Sequence, residues 1–356
     1  MSERDRAVID GTTVIDGVVH GYNSPPETYT HPISKLVVDS LYHGYHKIFS
    51  PRGEPRWLLD QERFIRADAA LLGGAVFEES QTDFCVYHDI PLYGLYKGGA
   101  SPLWVGRELR ERHPDRVALF GGIWPSHEDP IGEVDRLIEE EGVVGLKFYP
   151  YDIYDGTGVE VRMDDPEAVY PILEHAQKRG LRSVAVHKAI PMTGCPIQPF
   201  HPRDLEDALI AFPDLCFQIV HGGFAFLEET AMQLSYFRNA AVLLEGASAY
   251  IVNSPLKFAE ILAAFLMAGA ADRIIWGTGC TALHPQPLIE AFWDFELPDS
   301  IVDGYGLPPM TLELKQAILG GNIARILGLD IEAIAGTASK PESDELAEPW
   351  SGRPCA

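Results

Sequence analysis

Basic side chains are scarce in this 356-residue chain: 28 lysines and arginines stand against 52 aspartates and glutamates, a formal net charge of −24. So acidic a surface repels phosphate backbones and anionic lipid headgroups, which argues against nucleic acid or a membrane as partner. Cysteine is sparse too. Cys85, Cys195, Cys216, Cys280 and Cys355 are odd in number, scattered and never spaced C-x-x-C. That pattern speaks against a disulfide framework and a structural zinc site and points to a reducing cytoplasm. Long apolar runs are missing. The most hydrophobic stretch, Leu256 to Ala271, is short and carries Lys257 and Glu260, and the opening "MSERDRAVID" has no apolar signal core. No phosphate-binding loop is present either, since "LLGGAVF" lacks its Lys-Ser/Thr partner and "ILGGNIAR" lies in a late helical stretch.

What is present is alternation. Short apolar runs and longer amphipathic stretches follow one another from residue 14 to about 328, the pattern of a parallel α/β fold. The strand candidates are "TVIDGVVH", "DFCVYHDI", "VALFGGIW", "VGLKFYP", "RSVAVHKA", "CFQIVHGG", "AVLLEGAS" and "RIIWGTG", which is the barrel number. Helices are expected over "DPIGEVDRLIEEE", "DDPEAVYPILEHAQKRG" and "SPLKFAEILAAFLMAG", each opened by an Asp-Pro or Ser-Pro start signal. The expected architecture is a (β/α)8 TIM-like barrel forming a single domain over residues 1–335. Residues 22–66 are expected to form an insertion after the first strand. Residues 336–356 lack apolar periodicity and are expected to form a flexible tail.

In such a barrel the carboxyl ends of the strands converge on one mouth, so polar groups there read as catalytic. The first strand ends in His20, the second in His88, the fifth in His187 and the sixth in His221; the fourth carries Lys147 and the seventh offers Glu245. One strand-end histidine is more often a hydrogen-bonded structural residue. Several gathered at one mouth are nitrogen ligands for zinc or iron. His20, His187, His221 and Glu245 are the expected metal ligands, with a cation compensating burial of the Glu245 carboxylate. His88 and Lys147 are the expected catalytic residues: His88 to orient substrate or accept a proton, Lys147 either as a free amine or, modified to a carbamate, as a further ligand. His43, His46, His113, His127, His175, His201 and His284 carry no diagnostic spacing and are not expected to be ligands.

The loops at the mouth are aromatic. Tyr22, Trp124 and Tyr149 are expected to contact a bulky, mostly hydrocarbon substrate, the alternative being that such rings pack the insertion onto the barrel. Arg52 and Arg56, within a basic cluster that includes Lys47, Arg63 and Arg66, are expected to hold an anionic handle such as a carboxylate or a coenzyme A thioester, unless the cluster is a solvated surface or a subunit contact. A homo-oligomer is expected.

The set "VIDGVVHGYN", "EEEGVVGLKFYP", "VAVHKA", "IVHGGFAFLEETA", "ADRIIWGTG" and "ILGGNIARILGL", spread over residues 13 to 328, resembles the amidohydrolase superfamily, specifically the amidohydrolase-related group of metal-dependent decarboxylases and hydrolases. The resemblance implies an amidohydrolase-type barrel with H-x-H on the first strand, histidines on the fifth and sixth, and a water-activating aspartate after the eighth. Here Val18-Val19-His20 lacks the first histidine of the pair, and Gly279 or its neighbours Thr278 and Cys280 stand where the aspartate belongs. Without that base, ordinary hydrolysis loses its proton acceptor. Two histidines and a carboxylate are the ligand set of non-haem iron oxygenases, and histidine with glutamate is the vocabulary of di-iron sites. The first functional expectation is therefore an oxygen-activating variant that hydroxylates a bulky apolar molecule such as a diterpenoid or its coenzyme A thioester. It would use iron, two ions, with dioxygen and an electron donor as partners, and it resembles the non-haem di-iron monooxygenases of platensimycin and platencin diterpenoid biosynthesis, a setting of antibiotic biosynthesis. The alternatives are a zinc- or manganese-dependent hydrolase or non-oxidative decarboxylase, and a non-catalytic ligand-binding barrel.

Overall fold

The computed structural model describes residue 9 and residues 11–154, 156–337 and 346–351. Among the described residues there are ten strands: β1 (Ile15–Val19), β2 (Phe84–His88), β3 (Val117–Gly122), β4 (Gly145–Phe148), β5 (Tyr151–Tyr154), β6 (Thr157–Glu160), β7 (Ser183–His187), β8 (Cys216–Val220), β9 (Ala240–Leu243) and β10 (Ile274–Ile275). Eight of them form one parallel sheet in the order β1-β2-β3-β4-β7-β8-β9-β10. The sheet curls until its ends meet: Gly17 N–H donates to Trp276 O at 2.9 Å and Gly279 N–H to Val18 O at 3.0 Å, with a parallel bridge between Val19 and Cys280. A Cβ on Gly17 would lie 2.7 Å from Trp276 O, so closure at this seam requires glycine.

Every strand expected from the sequence is found. The antiparallel pair β5–β6 was not anticipated, because its strands, Tyr-Asp-Ile-Tyr and Thr-Gly-Val-Glu, are short and carry a single aliphatic residue each. The helix Pro130–Glu139 starts at its expected Asp129 cap, whose carboxylate accepts from Gly132 N–H at 2.9 Å. The helix expected from Asp164 begins only at Tyr170, because Asp165 spends its carboxylate on the amides of Glu167 and Ala168, both at 2.9 Å, in a separate turn.

Strand side chains alternate between two sides. Ile15, Phe84, Val86, Ala118, Phe120, Ala185, Val220, Ala241, Leu243 and Ile275 share one cluster with Ile323, Ala324, Ile326 and Ile334 of the C-terminal helices. The larger cluster holds the opposite strand faces and the surrounding helices. Stepping by two along the first set leads from Val86 to His88, Ala185 to His187 and Leu243 to Glu245. The period of two therefore delivers His187 and Glu245 to the mouth cavity, with His88 just behind its lining. No helix among the described residues is long and apolar enough to cross a membrane.

Residues 22–66 follow β1 and include the helix Ile33–Ser40, whose Val37, Val38 and Ser40 line the mouth cavity. They are tied to the barrel through Asn253, whose amide donates to Phe49 O at 3.1 Å and Ser50 O at 3.0 Å. The expectation of a flexible tail does not hold for its described part. Trp350 is 5% exposed, its ring centroid 4.8 Å from that of His284, and its N–H donates to Glu79 Oε2 at 2.6 Å. Ser351 donates to Glu79 Oε1 from both N–H (2.8 Å) and Oγ (2.9 Å). One aromatic anchor and one buried carboxylate dock a segment whose composition reads as disordered; residues 338–345 and 352–356 lie outside the described residues.

Burial pushes the Glu79 carboxyl up, but hydrogen bonds from His284, Ser351 and Trp350 outweigh it and hold the group below its ordinary value of 4.5. A carboxylate with a depressed folded-state pKa contributes stability that is present above its unfolded value and lost as pH falls through the folded one. Glu79→Gln is expected to lower unfolding stability by about 2 kcal/mol at pH 7, with the gap to the parent closing below pH 4.5. Denaturant unfolding at both pH values checks this, and a gap independent of pH would contradict it.

Candidate active site

His187 closes β7 and His221 directly follows β8. Both are at most 6% exposed, and Nδ1 of His187 faces Nε2 of His221 at 2.9 Å. The tautomers follow from what lies behind each ring. His187 Nε2 is 2.8 Å from the carbonyl of Ile190, which only accepts, so Nε2 carries the proton and Nδ1 a lone pair. His221 Nδ1 lies against Glu245, at 3.3 Å from its carbonyl oxygen and in contact with Oε2, so Nδ1 carries the proton and Nε2 a lone pair. Two acceptors therefore face one another. A shared proton is disfavoured: burial first, then neighbouring positive charge from Lys147 among others, pushes both imidazoles well below their ordinary range. His221 adopts φ 65°, a left-handed conformation unusual for a non-glycine residue, which lets its ring leave the strand alternation and meet His187.

His20 is held in the same manner. Its Nδ1 lies 2.9 Å from His88 O, so Nδ1–H donates and Nε2 is the available donor atom. Burial, then Lys147, brings its pKa down to about 3. A histidine whose far nitrogen is fixed by a carbonyl or carboxylate is the usual form of a metal ligand. Nitrogens about 2.1 Å from one ion at roughly right angles lie about 3 Å apart, as the His187–His221 pair does. The His187–His221 pair thus has the spacing of two ligands on one ion, with the His20 ring oriented in the same manner. The three rings do not amount to a finished cage: among the described residues no group of three or more His, Cys, Asp or Glu side chains is arranged to hold a metal ion.

Glu245, expected as a ligand beside the histidines, stands behind His221, on the nitrogen turned away from His187. In that position it orients the ring. Burial raises its pKa to about 7 against the opposing pull of His20, Lys147 and the hydroxyl of Tyr45, which donates to Oε1 at 3.4 Å. The cause of its presence lies across the barrel seam. Gly279 has φ +70°, and a Cβ there would sit 2.4 Å from Glu245 Oε1 and 2.9 Å from its Cδ. The carboxylate on β9's loop thus fills the space that an aspartate at 279 would need. Glu245 and any side chain at position 279 compete for one space.

Lys147 is fully buried with no hydrogen-bond partner for Nζ among the described residues, and burial, opposed by Glu245, brings its pKa to about 7. His88 is fully buried, stacked on Phe120 with centroids 4.6 Å apart, and neither ring nitrogen has a partner among the described residues. Both sit behind the lining of the mouth cavity.

That cavity, about 250 Å³, opens beside the histidine pair and is walled by Tyr22, Tyr45, Phe49 and Tyr149 among others, with His187, His221 and Glu245 at its base. Tyr149 stacks on His187 at 4.3 Å. Tyr22 and Tyr149 are thus where the sequence placed them. Trp124 is not; it lines a separate cavity with Tyr154. Arg52 and Arg56 are also displaced from the expected role. Both are exposed; Arg56 pairs with Glu54 at 3.0 Å and lies over Trp57, while Arg52 meets Asn253 through its backbone. The segment turns outward to pack Trp57, so neither guanidinium reaches the cavity. Tyr45 stood out in the sequence only as one ring among many; no local signal ties it to a carboxylate 200 positions away. His46 and His284 are buried and bonded to Ala282 O and Glu79, respectively, and neither lines the mouth cavity.

With this geometry in hand, comparison places the chain. No curated protein matches it. Among solved structures, an uncharacterized TIM-barrel protein of Bordetella bronchiseptica is 18% identical with a TM-score of 0.60, covering 91% of this chain and 99% of that one. The 5-carboxyvanillate decarboxylase of Novosphingobium aromaticivorans, solved with manganese and a nitrobenzoic acid, is 12% identical with a TM-score of 0.57, covering 92% and 100%. The 2,6-dihydroxybenzoate decarboxylase of Rhizobium is 16% identical with a TM-score of 0.53, covering 90% and 99%. At these identities the likeness is one of fold. The family model described as Amidohydrolase matches residues 98–329, a span that carries the histidines of β7 and β8, the Glu245 loop and the seam at Gly279, and the chain accordingly belongs to the amidohydrolase family.

Proposed function

We propose that the chain is a metal-dependent enzyme that removes carbon dioxide, without oxidation, from a bulky ring-bearing carboxylic acid. The observation that carries this reading is the facing ring nitrogens of His187 and His221, 2.9 Å apart, beside the Glu245 carboxylate that fills the space next to Gly279. His187, His221 and His20 would hold the ion, manganese or zinc, and Glu245 would fix His221. When bound, such an ion supplies a Lewis acid for a substrate oxygen. The carbon that loses carbon dioxide must gain a proton, and Lys147, poised near pH 7 beneath Tyr149, is the group suited to carry it. Tyr22, Tyr45 and Phe49 exclude water and hold the ring. Hydrolysis fits less well, because the carboxylate present is turned to the back of an imidazole. The decarboxylase names among the structural neighbours agree with this reading.

One observation favours a second reading, oxygen insertion by iron into a hydrocarbon. No lysine or arginine among the described residues lines the mouth cavity, which suits a neutral substrate. Freshly purified protein, tested for metal content and for turnover of aromatic acids in the absence of oxygen, separates the two. Manganese or zinc at about one per chain, with anaerobic release of carbon dioxide, is the expected result. Iron with an absolute requirement for dioxygen would overturn it in favour of the second reading, and the absence of bound metal would overturn both.

The competition for space at the seam has its own test. Gly279→Asp is expected to destabilise the parent by about 3 kcal/mol through overpacking and a strained backbone. In a Glu245→Ala background the same change is expected to cost at least about 1 kcal/mol less. Additive effects in denaturant unfolding would contradict the shared space.

A further inference from the structure

We propose that the second cavity of the barrel mouth, between the ends of β2 and β3 and the β5–β6 hairpin, binds an organic ammonium ion. The cavity is about 510 Å³ and is walled by Tyr93, Trp124, Tyr154, Glu128 and Glu133, with Gly122 behind them. Three rings from three separate segments meet here, those of Trp124 and Tyr154 with centroids 5.4 Å apart. No lysine or arginine among the described residues lines it. Glu133 is engaged by Arg136 at 2.8 Å, whereas Glu128 is exposed and makes no ion pair among the described residues.

Behind the wall lies a buried carboxyl group that makes no ion pair among the described residues; burial raises its pKa to about 7. Asp89 is 3% exposed. Its Oδ2 accepts from Gly122 N–H at 3.0 Å and from the Tyr93 hydroxyl at 3.5 Å, both groups of the cavity wall, and Oδ1 has no partner among the described residues. A buried acceptor without a donor, aromatic faces and surplus negative charge describe the chemistry that recognises alkylammonium groups. The net charge of −24 draws cations to the same mouth. An inorganic cation fits less well, since the rings of Tyr93, Trp124 and Tyr154 and the imidazole of His127 stand among Ser126, Glu128 and Glu133 and break up any shell of oxygens. A neutral polyol would leave the carboxylates uncompensated.

The test is calorimetric titration of the full chain with choline chloride, against sodium chloride and against 3,3-dimethylbutanol, the neutral isostere. Choline is expected to bind saturably and the isostere at least about tenfold more weakly. Glu128→Gln, an exposed change that leaves packing intact, and Trp124→Leu are each expected to weaken choline about threefold to tenfold. Equal binding of the isostere, absence of choline binding, or affinity unmoved by both substitutions would overturn the proposal.

Discussion

Two imidazole nitrogens that both carry lone pairs, held 2.9 Å apart in a dry barrel mouth, set the terms for the rest of the molecule. Neither ring can turn to relieve the other. Ile190 O fixes His187 and Glu245 fixes His221, while burial and Lys147 keep a proton from settling between them. The β strands supply the rigidity that makes such an arrangement possible. The left-handed backbone at His221 is the local cost of bringing a residue after one strand to meet a residue ending the next.

From that constraint follows the shared space across the seam. A carboxylate behind His221 needs room, and the room is the missing side chain of Gly279. At the end of the eighth barrel strand a glycine thus stands against the carboxylate that follows the seventh. Lys147 is buried with no hydrogen-bond partner for Nζ among the described residues, and Tyr22, Tyr45, Phe49 and Tyr149 give the mouth cavity aromatic walls. The docked Trp350 and Ser351 hold Glu79 and His284 on another side of the same scaffold, so the far end of the chain helps to fix its architecture.

The sequence made the barrel legible because strand burial on both sides writes continuous apolar runs, and eight of them survive intact. It also marked His20, His187, His221 and Glu245, since a period of two projects strand-end residues to one mouth. What it could not carry was direction. Whether Glu245 faces the histidine pair or backs one member of it depends on the rotamer that Gly279 permits, across 34 positions of chain. Arg52 and Arg56 misled because a basic cluster says nothing about which way Trp57 will turn its loop. Trp350 was invisible because one aromatic in a polar stretch has no periodicity to betray its docking partner.

The account rests most directly on the proton positions of the two facing rings, and nitrogen-15 NMR of histidine-labelled protein, stripped of metal and then titrated with zinc, reads them. The expected spectrum has Nε2 of His187 and Nδ1 of His221 protonated throughout, with Nδ1 of His187 and Nε2 of His221 moving together from bare to metal-bound shifts. Facing nitrogens that stay unchanged on zinc addition, or a proton found between them in the stripped protein, would contradict it.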